Sequence, residues 1–245
     1  MVVIMKGIIL AGGLGSRLYS LTKTINKHLL PIYNKPMIFY PVEFLIKNNI
    51  KNILIITGGN YAGAFVELLE NGLEFGAKLH YEYQKGNGGI AEALGLAEDF
   101  ANKENICVIL GDNIFLMDIK KDIIFFRNGA QIFITKTSHA SRFGVVELIN
   151  NKIISIIEKP KKPKSNYVVT GLYIYDKNVF NFIKQCKPSR RRELEITDVN
   201  NMYLKEGKLQ YRKIKGFWRD CGTIETLYEA SKFMRKQCQK TQKKN

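Results

Sequence analysis

The chain of 245 residues has no apolar run long enough to span a membrane. Its opening, Met1–Lys6, is apolar, but it leads into a glycine loop and offers no small-residue cleavage site. A first strand is expected there rather than a signal peptide, and the cytoplasm is the expected location. Cysteine is scarce. Cys107, Cys186, Cys221 and Cys238 are scattered with neither metal spacing nor a disulfide pattern. With only 3 histidines as well, the composition argues against a protein-ligated zinc. Acidic residues are also few, 22 against 38 Lys and Arg, for a net charge of +16. Such a balance raises the question of a polyanion partner. No zinc finger or RNA-binding aromatic signature accompanies it, so neither a nucleic-acid nor a membrane partner is expected. An anionic small substrate accounts for part of the charge, and lysines on solvated faces for the rest. The basic residues cluster at Arg190–Arg192 and in the tail from Lys232 to Lys244.

What remains is an ordinary globular composition, 45% hydrophobic, enough for one large α/β domain or two small ones. Apolar, β-rich runs at Gly7–Leu10, Ile53–Thr57, Leu79–Tyr83, Ile106–Leu110 and Gln131–Thr135 read as strands. Between them lie helical patterns, "YPVEFLIKNN" and the clearer "IAEALGLAEDFA", with Ile90, Leu94, Ala97 and Ala101 on one face. This alternation predicts an α/β fold, a Rossmann-like, doubly wound mixed sheet. In the second half "FGVVELINNKIISIIEKP" reads as a hairpin turning at the two asparagines, and "NYVVTGLYIYD" as a further strand. "ELEITDVNNMYLKEG" reads as a helix stopped by Gly207. A last helix is expected from Ile224 to about Lys236. With no linker or repeat, residues 1–236 are expected to form one domain with a small sugar-side β-rich lobe, and 237–245 a basic disordered tail.

The first strand runs into "GGLGSR", with glycine at positions 12, 13 and 15. Such a loop offers backbone N–H groups to phosphate oxygens, which approach closely where Cβ is missing. It has neither G-x-x-x-x-G-K-[ST] nor G-x-G-x-x-G spacing, and by itself it also serves as a tight strand-to-helix turn. Arg17 and Lys27 downstream favour the phosphate reading, because charge developing in phosphoryl-type transfer needs fixed cations. "VILGDN" sets Asp112 just past a strand, at the end where parallel sheets hold ligands. Near a triphosphate such a carboxylate calls for Mg²⁺; away from one it is a turn aspartate bonding its own loop. Asp220 in "GFWRDCGT" is either a partner for it or a helix cap, although Thr223 suits the cap better. Gln84, at a strand end, carries both donor and acceptor for a pyrimidine edge, or is simply a surface polar residue.

Read together, "LAGGLGSRL…TK…NKHLLPIYNKPMIFYPV", "LGDN", "RFGVVE", "EKP", "SNYVVTGLYIYD", "RRRELEITDVN" and "WRDCGT" resemble the motifs of the sugar-1-phosphate nucleotidylyltransferases. Within that family the likeness is greatest to the branch that uses dTTP and glucose 1-phosphate. The resemblance runs from Lys6 to about Phe233. It implies that Leu10, Gly12, Gly13, Gly15 and Ser16 line the nucleotide and that Arg17 and Lys27 hold its phosphates. It implies that Asp112 and Asp220 ligate one Mg²⁺, and that Gln84 and Gly89 meet the base. It further implies that Gly144, Glu158, Lys159, Val169 and Tyr173 line the hexose phosphate, with Arg191 a second phosphate ligand. The catalytic set would be Arg17, Lys27, Asp112 and Asp220.

The chain departs from the family pattern in several places. Ser20 stands for proline, Cys221 for threonine and Phe143 for tyrosine, and "QKGNGGIA" stands for Q-P-x-x-D-G-L-A. The last change leaves the choice between dTTP and UTP open, and the sequence does not fix the exact hexose either. Common members continue for about another fifth of the chain, with helices that build a regulatory site and a tetramer contact. Neither property carries over, and a homo-oligomer, a dimer before a tetramer, is expected. Two other classes fit less well. A glycosyltransferase usually carries D-x-D, which is absent here. A non-catalytic nucleotide- or nucleic-acid-binding protein has no need of Arg17, Lys27, Asp112 and Asp220 together.

Overall fold

A computed structural model describes residues 5–13 and 15–242. Met1–Ile4, expected to lead the first strand, lie outside the described residues, as does the end of the tail. The aliphatic runs form one nine-stranded sheet. Its core is a parallel block in the spatial order Lys78–Gln84, Asn52–Gly58, Lys6–Ala11, Ile106–Leu110. Side chains alternate along the central strand, so Ile8 and Leu10 enter one core while Ile9 and Ala11 enter the other. Covering both faces with helices is what lets these strands be almost wholly apolar. Helices Phe39–Lys47 and Ala62–Leu69 cover one face. Helices Ile90–Gly95, Val179–Gln185 and Ile196–Lys205 cover the other.

Beyond Ile106–Leu110 the sheet turns antiparallel. Strand Tyr167–Tyr175 pairs with it and with Ala130–Lys136, and its register shifts between Val169 and Tyr173. The expected hairpin is Gly144–Ile149 with Lys152–Glu158, turning through Asn150 and Asn151 at φ 47° and 58°. Leu209–Lys213 adds a strand parallel to Ala130–Lys136. The sheet is therefore mixed and of the doubly wound kind, as the strand and helix alternation predicts.

Two helices differ from expectation. "IAEALGLAEDFA" is not continuous: it forms Ile90–Gly95 and then Glu98–Ala101. Gly95 supports a helix poorly, and a Cβ there would lie 3.4 Å from Ile183, so a neighbouring helix packs tightly at the break. The last helix runs from Ile224 to Gln242, past Lys236. Ala230 and Met234 hold it on a small core with Ile32, Met37, Tyr40, Ile114 and Cys221. No helix among the described residues is long and apolar enough to cross a membrane.

Two features of this architecture position the site. The central strand Lys6–Ala11 has neighbours reached by connections in opposite directions, which opens a crevice at its carboxyl end. Residues 12, 58, 84 and 112 meet there. A separate two-stranded piece, Asn113–Leu116 antiparallel to Phe217–Asp220, sets Asp220 opposite Asn113. A late segment of the chain thus returns to the same crevice.

The packing under the central strand is close. A Cβ on Gly7 would lie 2.8 Å from Leu45 Cδ1 and 3.0 Å from Ile50 Cγ2, both fully buried. Gly7→Val should cost about 1–3 kcal/mol through overpacking. The measurement is the urea midpoint, expected to fall at an unchanged m-value.

Candidate active site

A cleft of about 610 Å³ runs along the carboxyl edge of the parallel strands. The glycine loop forms one wall. Gly12 is buried against Gln84, whose Oε1 would lie 2.4 Å from a Cβ at that position. Gly15 sits at φ 66°, the left-handed region, above the Lys27 side chain. Thr22 Oγ1 donates to the carbonyls of Gly15 and Leu18 and ties the loop down. Leu10, Gly12, Gly13, Ser16, Arg17 and Lys27 all line the cleft, while Gly15 shapes the loop from behind.

Asp112 and Asp220 face one another in the middle. Lys27 Nζ lies 2.5 Å from Asp112 Oδ2, with both side chains largely buried. Asn113 Nδ2 donates to Asp112 Oδ1 at 2.9 Å, and Trp218 Nε1 donates to Asn113 Oδ1 at 2.6 Å. The backbone N–H of Cys221 donates to the Asp112 carbonyl at 2.8 Å, which closes the corner. Burial alone would push Asp112 up, but Lys27, then His28, outweighs it and holds the carboxyl below the usual range. Asp220 is raised, by burial and by the charge of Asp112, against Lys27, Arg17 and Arg142. Two like charges in one corner are thus pushed apart in basicity. Thr223, not Asp220, caps the last helix by accepting from the Thr226 N–H. Cys221 turns its thiol into the core beside Ile32 and Met37, away from the cleft.

Among the described residues no group of three or more His, Cys, Asp or Glu could hold a metal. Two carboxylates in an open cleft suit an ion that completes its shell with water and ligand oxygens. That is the habit of Mg²⁺ and not of zinc.

The Gln84 end of the cleft is more constrained than its sequence suggests. Gln84 is buried, and its Nε2 donates to Glu92 Oε1 at 3.1 Å and to the Gly89 carbonyl at 3.3 Å. The Leu194 N–H donates to the Gly88 carbonyl at 2.6 Å, and the Ala91 N–H to the Leu194 carbonyl at 3.1 Å. The loop is clamped to the segment that leads to helix Ile196–Lys205.

At the opposite end Gly144, Glu158, Lys159, Val169 and Tyr173 line the cleft. Thr197 Oγ1 donates to Glu158 Oε2 at 2.5 Å. Lys159 Nζ lies 3.5 Å from Glu158 Oε1. Phe143, where the family pattern has tyrosine, packs edge-on against Trp218 with ring centroids 5.4 Å apart. Arg191 is not on the cleft wall. Its guanidinium makes a fork on Glu195 and lies 3.5 Å from Glu158 Oε1.

Four further residues of the site lie inside the family-like motifs without an assigned role there. Arg142 places NH2 3.2 Å from Asp220 Oδ1. Asn113 and Thr197 orient acidic groups. His28 lines the cleft but is 1% exposed, and Asn26 Oδ1 accepts from both its backbone N–H and its Nδ1. That contact fixes the Nδ1–H tautomer.

The parallel crevice, the glycine loop and a facing carboxylate pair define a class, the α/β enzymes that act on nucleoside phosphates. Within it, this chain belongs to the nucleotidyl transferase family, whose model matches residues 6–237. A glucose-1-phosphate thymidylyltransferase of Neisseria meningitidis is 45% identical over 237 residues, 94% of this chain and 82% of that protein. A Bacillus anthracis structure assigned as a glucose-1-phosphate thymidylyltransferase, in complex with sucrose, is 50% identical with a TM-score of 0.90. The match covers 94% of this chain and 95% of that one. A UDP-glucose pyrophosphorylase bound to UDP-glucose is 27% identical with a TM-score of 0.85, covering 96% and 99% of the two chains.

Burial, then the Lys27 charge, brings the His28 pKa down to about 3, against a partial offset from Asp112. The unfolded chain therefore takes up a proton near pH 6.5 that the folded chain refuses until about pH 3. This stability term is complete above pH 6.5 and is lost as pH falls toward 3. Between pH 7 and pH 5 it amounts to about 2 kcal/mol. Urea unfolding of the native chain and of His28→Gln at both pH values should show the variant losing less stability by about that amount.

Proposed function

We propose that the cleft binds dTTP at its glycine-loop end and glucose 1-phosphate at its Glu158 end. The reaction transfers the thymidylyl group to give dTDP-glucose and pyrophosphate. The observation that carries this reading is the corner where Arg17, Lys27, Asp112 and Asp220 converge within one cleft. The activities named for the Neisseria and Bacillus relatives support it.

In this reading an anionic oxygen of the sugar phosphate attacks the α-phosphorus of dTTP in line. The new P–O bond forms as the bond to the bridging oxygen of the β-phosphate breaks, and pyrophosphate carries that electron pair away. A phosphate oxygen needs no general base, so catalysis is positioning and electrostatics. Leu10, Gly12, Gly13, Gly15 and Ser16 shape the nucleotide wall. Gln84 and Gly89 meet the base. Gly144, Val169 and Tyr173 seat the hexose, and Glu158 accepts from its hydroxyls. Lys159 holds the sugar phosphate, and Arg191 would have to turn from Glu195 to become its second ligand. Arg17 and Lys27 offset the charge on the triphosphate. Asp112 and Asp220 would hold Mg²⁺, which when bound neutralises part of the phosphate charge. We place this activity in a single domain of a cytoplasmic homo-oligomer, a dimer before a tetramer.

The base loop, which lacks the proline and aspartate of the family pattern, favours testing UTP beside dTTP. The 27%-identical structure with bound UDP-glucose adds to that case. The test incubates the protein with Mg²⁺, glucose 1-phosphate and both nucleotides in competition, with products resolved by chromatography. Formation of dTDP-glucose ahead of UDP-glucose is expected. Preference for UTP keeps the chemistry and reassigns the base, whereas no nucleotide sugar from either overturns the reading. In the same assay Arg17→Ala should lower the rate by about two to three orders of magnitude. Arg17 is exposed, so the variant's unfolding midpoint should stay unchanged.

A further inference from the structure

Arg142 stands in the cleft with no role in the reading above. Its backbone ends the short turn Ala140–Arg142, whose amides close on His139 and Ala140. The next residue, Phe143, packs on Trp218, which holds Asn113, which holds Asp112. The root of the Arg142 side chain is therefore fixed relative to the carboxylate pair.

Its guanidinium is held far less firmly. One hydrogen bond, NH2 to Asp220 Oδ1 at 3.2 Å, and a cation–π contact with the Phe143 ring at 5.6 Å hold it, and the side chain is 28% exposed. Arg191 shows the contrast, with three hydrogen bonds in a fork on Glu195. A guanidinium has five donors in a plane suited to two oxygens at once, so Arg142 leaves most of its capacity unused on Asp220.

The charges give the reason for such a loose hold. In the free protein Arg17, Lys27 and Arg142 stand against Asp112 and Asp220, an excess of one positive charge. A triphosphate brings about four negative charges near neutral pH and a divalent cation brings two positive. With all three basic side chains present the filled site comes within about one charge of balance. Without Arg142 it falls short by about two. Asp220, whose Oδ1 also accepts from the Gly222 N–H at 3.2 Å, is one of the two carboxylates that would hold the divalent cation, so Arg142 and that cation share a partner.

We propose that Arg142 is a third cation of the nucleotide site, parked on Asp220 in the free protein and handed to the nucleotide's phosphates when dTTP binds. This rests on the nucleotidyltransferase reading of the cleft. Arg142 is then a competitor for Asp220 before the nucleotide arrives and a ligand of the nucleotide afterwards. A residue that merely aims the Asp220 carboxylate would do the opposite in the first state and nothing in the second.

Two binding measurements on the intact chain separate these roles. The first is Mn²⁺ binding without nucleotide, followed by electron paramagnetic resonance, for the native chain, Arg142→Met and Arg142→Lys. The second is dTTP binding in EDTA by calorimetry. Arg142→Met should bind Mn²⁺ several-fold more tightly and dTTP about tenfold or more weakly. Arg142→Lys, which keeps the charge and loses the fork, should fall between on both. Weaker Mn²⁺ binding by Arg142→Met, or unchanged dTTP binding, overturns the proposal. Failure of the native chain to bind dTTP would instead overturn the nucleotidyltransferase reading on which it rests.

Discussion

The site depends on holding two carboxylates together in a place where they repel. Asp112 leaves the parallel sheet at a strand end, and Asp220 arrives much later in the chain. The short pairing of Asn113–Leu116 with Phe217–Asp220 fixes their approach through backbone hydrogen bonds, so side-chain charges need not supply it. Cations then surround the pair: Lys27 on Asp112, Arg142 on Asp220, and Arg17 nearby. Within the set the largely buried Lys27–Asp112 pair matters most to the fold, because removing one partner of a buried pair leaves an uncompensated charge, whereas Arg17 is exposed. The same arrangement makes the corner responsive to phosphate. The basic groups that neutralise the aspartates in the free protein are the ones that a triphosphate would draw away.

The two ends of the cleft use different physics. The glycine-loop end relies on backbone geometry: Gly12 leaves room for Gln84, and Gly15 takes the left-handed conformation. The Glu158 end relies on side-chain hydrogen bonds anchored in one helix. Helix Ile196–Lys205 supplies Thr197 to Glu158, Asn200 to the Tyr175 hydroxyl and Tyr203 to Asp176. All of these are buried or half-buried, so a group left unpaired there costs about 1–3 kcal/mol. The helix that braces Glu158 is thereby fixed to the sheet. The ends are also joined, since the base loop at Gly88 and Ala91 bonds to Leu194 just before that helix.

The sequence made much of this legible because glycine and strand-end aspartate leave strong local traces. The five strands read from aliphatic runs each appear within a residue or so of the expected bounds. The glycine loop, Lys27, Asp112 and Asp220 could be named from spacing and family likeness, and they line one cleft. What escaped is what depends on distant contact. Arg142 sits inside "RFGVVE", yet nothing local says that its guanidinium reaches a carboxylate far along the chain. His28 is chemically ordinary until burial next to Lys27 strips it of its charge. The family likeness implies that Arg191 is a second phosphate ligand, but three glutamates, at 158, 193 and 195, crowd it.

The run of "IAEALGLAEDFA" shows the same limit for the fold. Its apolar spacing is helical throughout, and Leu94, Ala97 and Ala101 are indeed buried on one side. The break comes at Gly95, where helix Val179–Gln185 approaches with Ile183. Local propensity cannot report a neighbour contributed from more than eighty residues away, so it joins two helices that packing separates. Cys221 is the converse case. The sequence marks it as a departure inside a metal motif, which invites a functional reading. The fold turns its side chain into the core under the last helix, so only its backbone N–H serves the Asp112 corner. At that position the backbone does the work, and a side chain of the right size is enough.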